Sequence, residues 1–200
     1  MTISHLHSRW SHQPATSLTP CEQYWLFAPG SLTRKLKDLG TYSIELISQY
    51  ETQAGADDAN ALNIALQTPI WVREVLMRVD GQPCVTARSI APSSALQHDW
   101  AVLANYGGHP LGNILYQDPA ITRHPFEWAS LASEDPLSAL SYPFRSGKRL
   151  LARRSRFIRL RSSLVISECF LPAFWAACAS YGDEHSDVES SAEALHLQHS

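Results

Sequence analysis

Long apolar runs are missing from this chain. No window approaches the ~18 continuous apolar residues of a membrane helix, so no membrane span is expected. The opening stretch MTISHLHSRWSHQPATSLTP lacks a positive start followed by an apolar segment, which argues against a secretory signal. Cysteine is sparse. Cys21, Cys84, Cys169 and Cys178 lie far apart and form no CxxC pair. They are read as reduced thiols of a cytoplasmic protein, not as a disulfide frame or a zinc site. No GxGxxG, P-loop or HExxH is present, so no cofactor and no metal are expected. His5, His7 and His12 have no cysteine or acid at a ligand spacing and are read as part of a loose arm. Positive charge is not in excess. Lys and Arg number 16 against 19 Asp and Glu, for a net charge of −3, which leaves no overall footprint for nucleic acid.

A core is what the chain does have. Its 200 residues are 44% hydrophobic and 18% charged, the make-up of one globular domain. Three regions are expected: a flexible arm over 1–20, a domain over 21–181 and a disordered acidic tail over 182–200. Residues 21–40 read as two short helices around a Pro-Gly break, the second capped by Ser31 and ended by Gly40. Residues 41–51 alternate as a strand. Residues 55–67 read as a turn and linker. Two alternating runs flank Asp80-Gly81, a hairpin signature. Residues 94–108 read as a helix stopped by two glycines. Residues 121–130 suggest another strand, and 130–148 an exposed loop. A second hairpin over 153–172 is expected to turn at Ser162-Ser163. Hairpins with helices off to one side suggest a single-domain α+β fold on an antiparallel sheet.

Three features carry chemistry. With a two-residue turn at Asp80-Gly81, Val79 pairs with Gln82, and Arg73 falls directly opposite Arg88 on one face. On an exposed face water screens that pair; on a covered face it calls for an anion. Glu168 lies in the apolar run LVISECFLPAFW, sharing a strand face with Leu164, Ile166 and Phe170. A carboxylate there is either half of a buried ion pair, with an arginine such as Arg73, or a tuned acid in a pocket. The basic run from Lys148 to Arg161 alternates with Phe157, Ile158 and Leu160. It is read as a solvated strand face rather than a nucleic-acid surface.

Four segments, in order, resemble the chorismate lyase family: SLTRKL (31–36), WVREVLMRVDGQPCVTARSIAP (71–92), HPLGNILY (109–116) and RRSRFIRLRSSLVISECFLP (153–172). The resemblance implies an antiparallel sheet of about six strands, with helices to one side and a buried site behind two helix-turn-helix flaps. It implies a lyase that converts chorismate to 4-hydroxybenzoate and pyruvate without a cofactor, at the entry to the ubiquinone ring pathway. It casts Arg73 as the holder of a substrate carboxylate and Glu168 as the partner of the ring hydroxyl. Leu32 and Leu111 would offer backbone contacts, with Gly112 beside the second. Arg88 would support the other carboxylate. Leucine at 32 departs from the methionine common in the family, and the loop near 130–148 is longer than the family suggests. The implied partners are substrate and product alone, with neither nucleic acid nor membrane, and the implied state is a monomer. A rival reading is a ligand-sensing domain of the same fold. Such sensors normally follow a DNA-binding domain, and only about twenty residues precede the fold here.

Overall fold

The computed structural model describes residues 10–178. The tail expected over 182–200 and the first nine residues lie outside it. Residues 10–19, expected to be part of a loose arm, instead lie on the domain. Trp10 is buried, and Ser11 exchanges two backbone hydrogen bonds of 2.9 Å with Trp128.

Thr19 begins α1 (Pro20–Phe27) with a capping box: its hydroxyl accepts from the Glu22 amide, and the Glu22 carboxylate accepts from the Thr19 amide. Ser31 caps α2 (Leu32–Leu39) and Gly40 ends it, as the sequence suggests. Next come β1 (Tyr42–Gln53), α3 (Ala56–Leu62), β2 (Pro69–Val79) and β3 (Gln82–Pro92). The region expected to be one helix over 94–108 forms two separate 3₁₀ turns, Ser93–Gln97 and Ala101–Leu103. Short α4 (Gly112–Leu115) follows. The strand expected over 121–130 is split by His124-Pro125-Phe126 into β4 (Ile121–Arg123) and β5 (Glu127–Ser130). Much of the expected loop over 130–148 is folded. Asp135 caps α5 (Pro136–Ser141), whose Leu137, Ser138 and Ser141 are buried. Strands β6 (Leu151–Arg159) and β7 (Ser162–Phe170) complete the sheet, and residues 172–178 are helical.

All pairings are antiparallel in one seven-stranded sheet of order β1-β2-β3-β7-β6-β4, with β5 also on β6. Both hairpins depart from the expected register. Asp80 and Gly81 have φ of 49° and 76°, the left-handed pair that a tight hairpin turn needs, and Val79 does face Gln82. One step further the ladder bulges: Arg78 faces Pro83, but Met77 faces Val85, so Cys84 is an extra residue. Arg73 therefore faces Ser89, and Arg88 faces Glu74. A slip of one residue turns each later side chain to the other face, so Arg73 and Arg88 are on opposite sides. The second hairpin turns at Leu160-Arg161, with Arg159 facing Ser162, not at Ser162-Ser163.

Each face is covered. Against the face bearing Val75, Ala87 and Phe170 pack α1, α2 and the helical end of the chain; Leu111 and Leu115 join Trp71, Phe157 and Leu164 further along. Helices thus do gather on this side. Two short ones, α3 and α5, lie on the other side, over Val72, Ile90 and Val165 and over Leu76, Ala152 and Cys169.

Candidate active site

Register assembles the site. Across β2, β3, β7 and β6, one row is Arg73, Ser89, Ile166 and Ser155. The next is Val75, Ala87, Glu168 and Arg153. These residues point to the same face and line a cavity between the two apolar clusters on that side. Its walls include Ile44, Met77, Leu115 and Phe157; its roof is the start of α2 and the Pro110-Leu111-Gly112 corner.

Arg73 is 2% exposed. Its Nε donates to the Gly107 carbonyl and its Nη2 to the His109 carbonyl, each at 2.9 Å. No acid pairs with it among the described residues. Burial pushes its guanidinium below the ordinary arginine range, while Tyr42 and Tyr106 act in the other direction. Arginine nonetheless stays charged in proteins. A buried cation with no acid beside it is stabilised by an anionic guest.

Glu168 answers differently. Arg153 faces it across the β6–β7 ladder and donates from Nε to its Oε2 at 2.7 Å. Arg153 is itself 1% exposed. Its Nη1 donates to the Trp25 and Ala28 carbonyls at 2.9 and 3.2 Å, so it also satisfies the end of α1. Glu168 is thus half of a buried ion pair, with Arg153 and not Arg73. Its carboxylate still borders the cavity and has lone pairs to spare for a hydroxyl.

Of the residues singled out by sequence, Arg73, Glu168, Leu32, Leu111 and Gly112 all line this cavity. Leu32 opens α2, where the first amides have no carbonyl partner within the helix. Gly112 lets this corner close against the start of α2: a Cβ on it would come within 2.8 Å of Ser31 Oγ. Tyr116 adds a hydrogen bond of 2.6 Å from its hydroxyl to the Gly30 carbonyl.

Arg88 is the exception. It lies on the far face, where Asp58 accepts from both Nη atoms at 2.7 and 3.0 Å and Glu74 is 3.8 Å from Nε. Burial opposes its charge, but Asp58, with Tyr50 and Glu74, more than offsets this and raises its pKa. Arg88 is thus paired with acids on the far face and does not line the cavity that Arg73 and Glu168 share. Arg153 is the site arginine that sequence reasoning missed. Its signal lay in the RRSR run, which is buried rather than solvated: Arg153 and Arg154 are both under 5% exposed.

The sequence agrees with this geometry. The profile of the family described as chorismate lyase matches residues 6–179. A probable chorismate pyruvate-lyase 1 of Burkholderia pseudomallei (strain 1710b) is 54% identical over 173 residues, covering 86% of this chain and 94% of its own. The probable chorismate pyruvate-lyase of Bordetella pertussis (strain Tohama I) is 40% identical over 171 residues, covering 84% and 90%. Among solved structures, PhnF from Mycobacterium smegmatis shares the fold, with a TM-score of 0.51 at 12% identity over 73% of this chain and 65% of that one. Sequence and site together place the chain in one group: it belongs to the chorismate lyase family.

Proposed function

We propose that the protein converts chorismate to 4-hydroxybenzoate and pyruvate. The observation that carries this is the polarity of the cavity: a buried arginine without an acid at one side, a braced carboxylate at the other and apolar walls between. That pattern matches a ring with a carboxylate on carbon 1 and a hydroxyl on carbon 4. Arg73 holds the ring carboxylate in a charge-assisted contact, and the amides of Leu32 and Leu111 sit at the roof to assist. Glu168 accepts from the 4-hydroxyl. Arg153 keeps that carboxylate aimed, which makes Arg153 a positioning residue.

The elimination balances without a co-reactant. The bond from ring carbon 3 to the ether oxygen breaks, carbon 4 loses its hydrogen, and the ring becomes aromatic. That hydrogen ends on the methylene carbon of the departing enol, giving pyruvate. Glu168 is placed to influence the proton, and Arg73 orients the ring. The product is the ring precursor of ubiquinone. The same reading has the protein working as a cytoplasmic monomer, on substrate and product alone.

The test is direct. Purified protein is mixed with chorismate, without metal or nucleotide, and both products are followed by chromatography. Equal amounts of the two, far above spontaneous decay, are expected. Tight 4-hydroxybenzoate binding without turnover would instead make the protein a sensor of the same fold.

A further inference from the structure

Chorismate carries two carboxylates, and the register leaves the second without its expected partner. Arg88, the residue the sequence suggests, is on the wrong face and held through both Nη atoms by Asp58. Arg153 is committed to Glu168 and two carbonyls. Arg73 is needed at the ring carboxylate. One further arginine stands just behind the wall of the same space, in contact with residues that line it.

Arg123 is the last residue of β4 and faces Phe157 across the ladder. Its Nε donates to Ser155 Oγ at 3.1 Å, while the Ser155 hydroxyl donates to the His124 carbonyl at 2.7 Å. The guanidinium carbon lies 3.7 Å from the Phe126 ring centroid, with the Tyr116 and Phe157 rings at 5.8 and 5.9 Å. Ser155, Phe126, Tyr116 and Phe157 all line the substrate cavity. The charged groups that act on Arg123 are Arg153 and Glu168. No acid pairs with it among the described residues. An arginine stacked over an aromatic ring and hydrogen-bonded through Nε keeps its Nη donors for a guest.

Its position also suits the chemistry. Arg73 and Ser155 occupy the same row of the sheet, on β2 and β6, three strand spacings and roughly 14 Å apart. Glu168 lies on β7, between them and next to β6. A ring with carbon 1 at Arg73 and the 4-hydroxyl at Glu168 directs carbon 3, the neighbour of carbon 4, to the Glu168 end. Of the two ways the ring can turn about that axis, the one that points carbon 3 toward β6 and β4 extends the three-carbon ether group on the side where Arg123 stands.

We propose that Arg123 binds the carboxylate of the enolpyruvyl group and holds it as the carbon–oxygen bond breaks, completing a two-arginine clamp with Arg73. This rests on the lyase reading above. During the elimination the ether oxygen leaves ring carbon 3 as the enol of pyruvate, and its carboxylate stays an anion throughout. Arg123 exchanges no proton. Its role is to select and orient a substrate with a second carboxylate.

Arg123→Gln and Arg123→Lys separate this from a structural role. The readouts are kcat/KM for chorismate and the Kd of 4-hydroxybenzoate, which lacks the ether group. In Arg123→Gln, kcat/KM is expected to fall about 30- to 100-fold, the loss of a charge-assisted contact, with Kd for 4-hydroxybenzoate within about threefold of the parent. Arg123→Lys, keeping the charge but not the fork, should recover part of the loss. Arg73→Gln should weaken both ligands. Retained 4-hydroxybenzoate binding also reports an intact pocket; if the glutamine variant does not fold, the lysine variant is read by the same two measurements. Undiminished kcat/KM, or equal losses for chorismate and 4-hydroxybenzoate, overturns the assignment while leaving the lyase intact. No chorismate turnover by the parent protein overturns the lyase reading and this assignment with it.

Discussion

Arg153 and Glu168 face one another across β6 and β7, Nε to Oε2 at 2.7 Å, with Arg153 almost wholly out of water. An ion pair in such a place contributes little beyond a well-packed apolar pair, but losing one member leaves a buried charge. Arg153→Met is therefore expected to lower unfolding free energy by about 3 kcal/mol or more. In the double variant with Glu168→Gln, part of that loss should return. Denaturant titration of the four proteins in the cycle checks it; simple additivity would mean the pair is not coupled.

Arg88 makes the opposite kind of prediction. Its partners, Asp58 and Glu74, are on the face away from the cavity. Arg88→Met should destabilise the fold by about 2–4 kcal/mol, yet leave KM for chorismate within about twofold at a temperature where the variant is folded. A selective rise in KM would restore Arg88 to the site.

Contact across the cavity roof is expected to govern how long a ligand stays. Tyr116 donates to the Gly30 carbonyl, tying α4 to the turn before α2. Removing that bond in Tyr116→Phe, worth about 1 kcal/mol, should speed 4-hydroxybenzoate release about fivefold. If release limits turnover, kcat rises with it. Stopped-flow displacement measures the first effect and steady-state kinetics the second.

Two buried thiols give the fold a weakness in alkali. Burial pushes Cys169 and Cys178 from an ordinary value of 9.0 up to about 12. Between those values the unfolded chain gives up these protons while the native one keeps them, so the native state binds more protons. The stability they confer is complete below pH 9 and is lost as pH rises toward 12, at up to about 1.4 kcal/mol per pH unit for each thiol. Replacing Cys169 by alanine should flatten the stability profile over that interval, as followed by denaturant midpoint against pH.

The legible parts of this sequence were those where local chemistry has one solution. Ser31 and Gly40 bracket α2 because a hydroxyl cap and a glycine stop are local events. Asp80-Gly81 turns because both residues tolerate positive φ. Glu168 was singled out because a carboxylate in an apolar strand needs a reason. What sequence did not disclose was register. Strands β2 and β3 are buried on both faces, so their apolar pattern does not tell one face from the other. Nothing local marks Cys84 as the extra residue, and without that bulge Arg88 counts onto the wrong side. The second hairpin hides its turn for another reason: Leu160 takes φ of 53°, a conformation that Leu adopts rarely, so Ser162-Ser163 looked the better turn. Counting from there pairs Glu168 with Phe157, and Arg153 disappears from view. The fold of α3 and α5 rests on packing against the far face rather than on strong propensity.

The bulge at Cys84 bears on how this gene can vary. Cavity-facing and far-face residues alternate along the strands: Arg73 beside Glu74, Ala87 beside Arg88, Arg153 beside Arg154, Glu168 beside Ser167. Point changes alter one face at a time. Loss of Cys84 itself would only straighten the ladder and keep Arg73 opposite Ser89, but a single-codon deletion within Val85–Ala87 exchanges the two faces of the rest of β3, turning Arg88 to the cavity side opposite Val75 and leaving Asp58 without its cation. Descendants of this sequence can therefore exchange residues within β3 far more freely than they can gain or lose one.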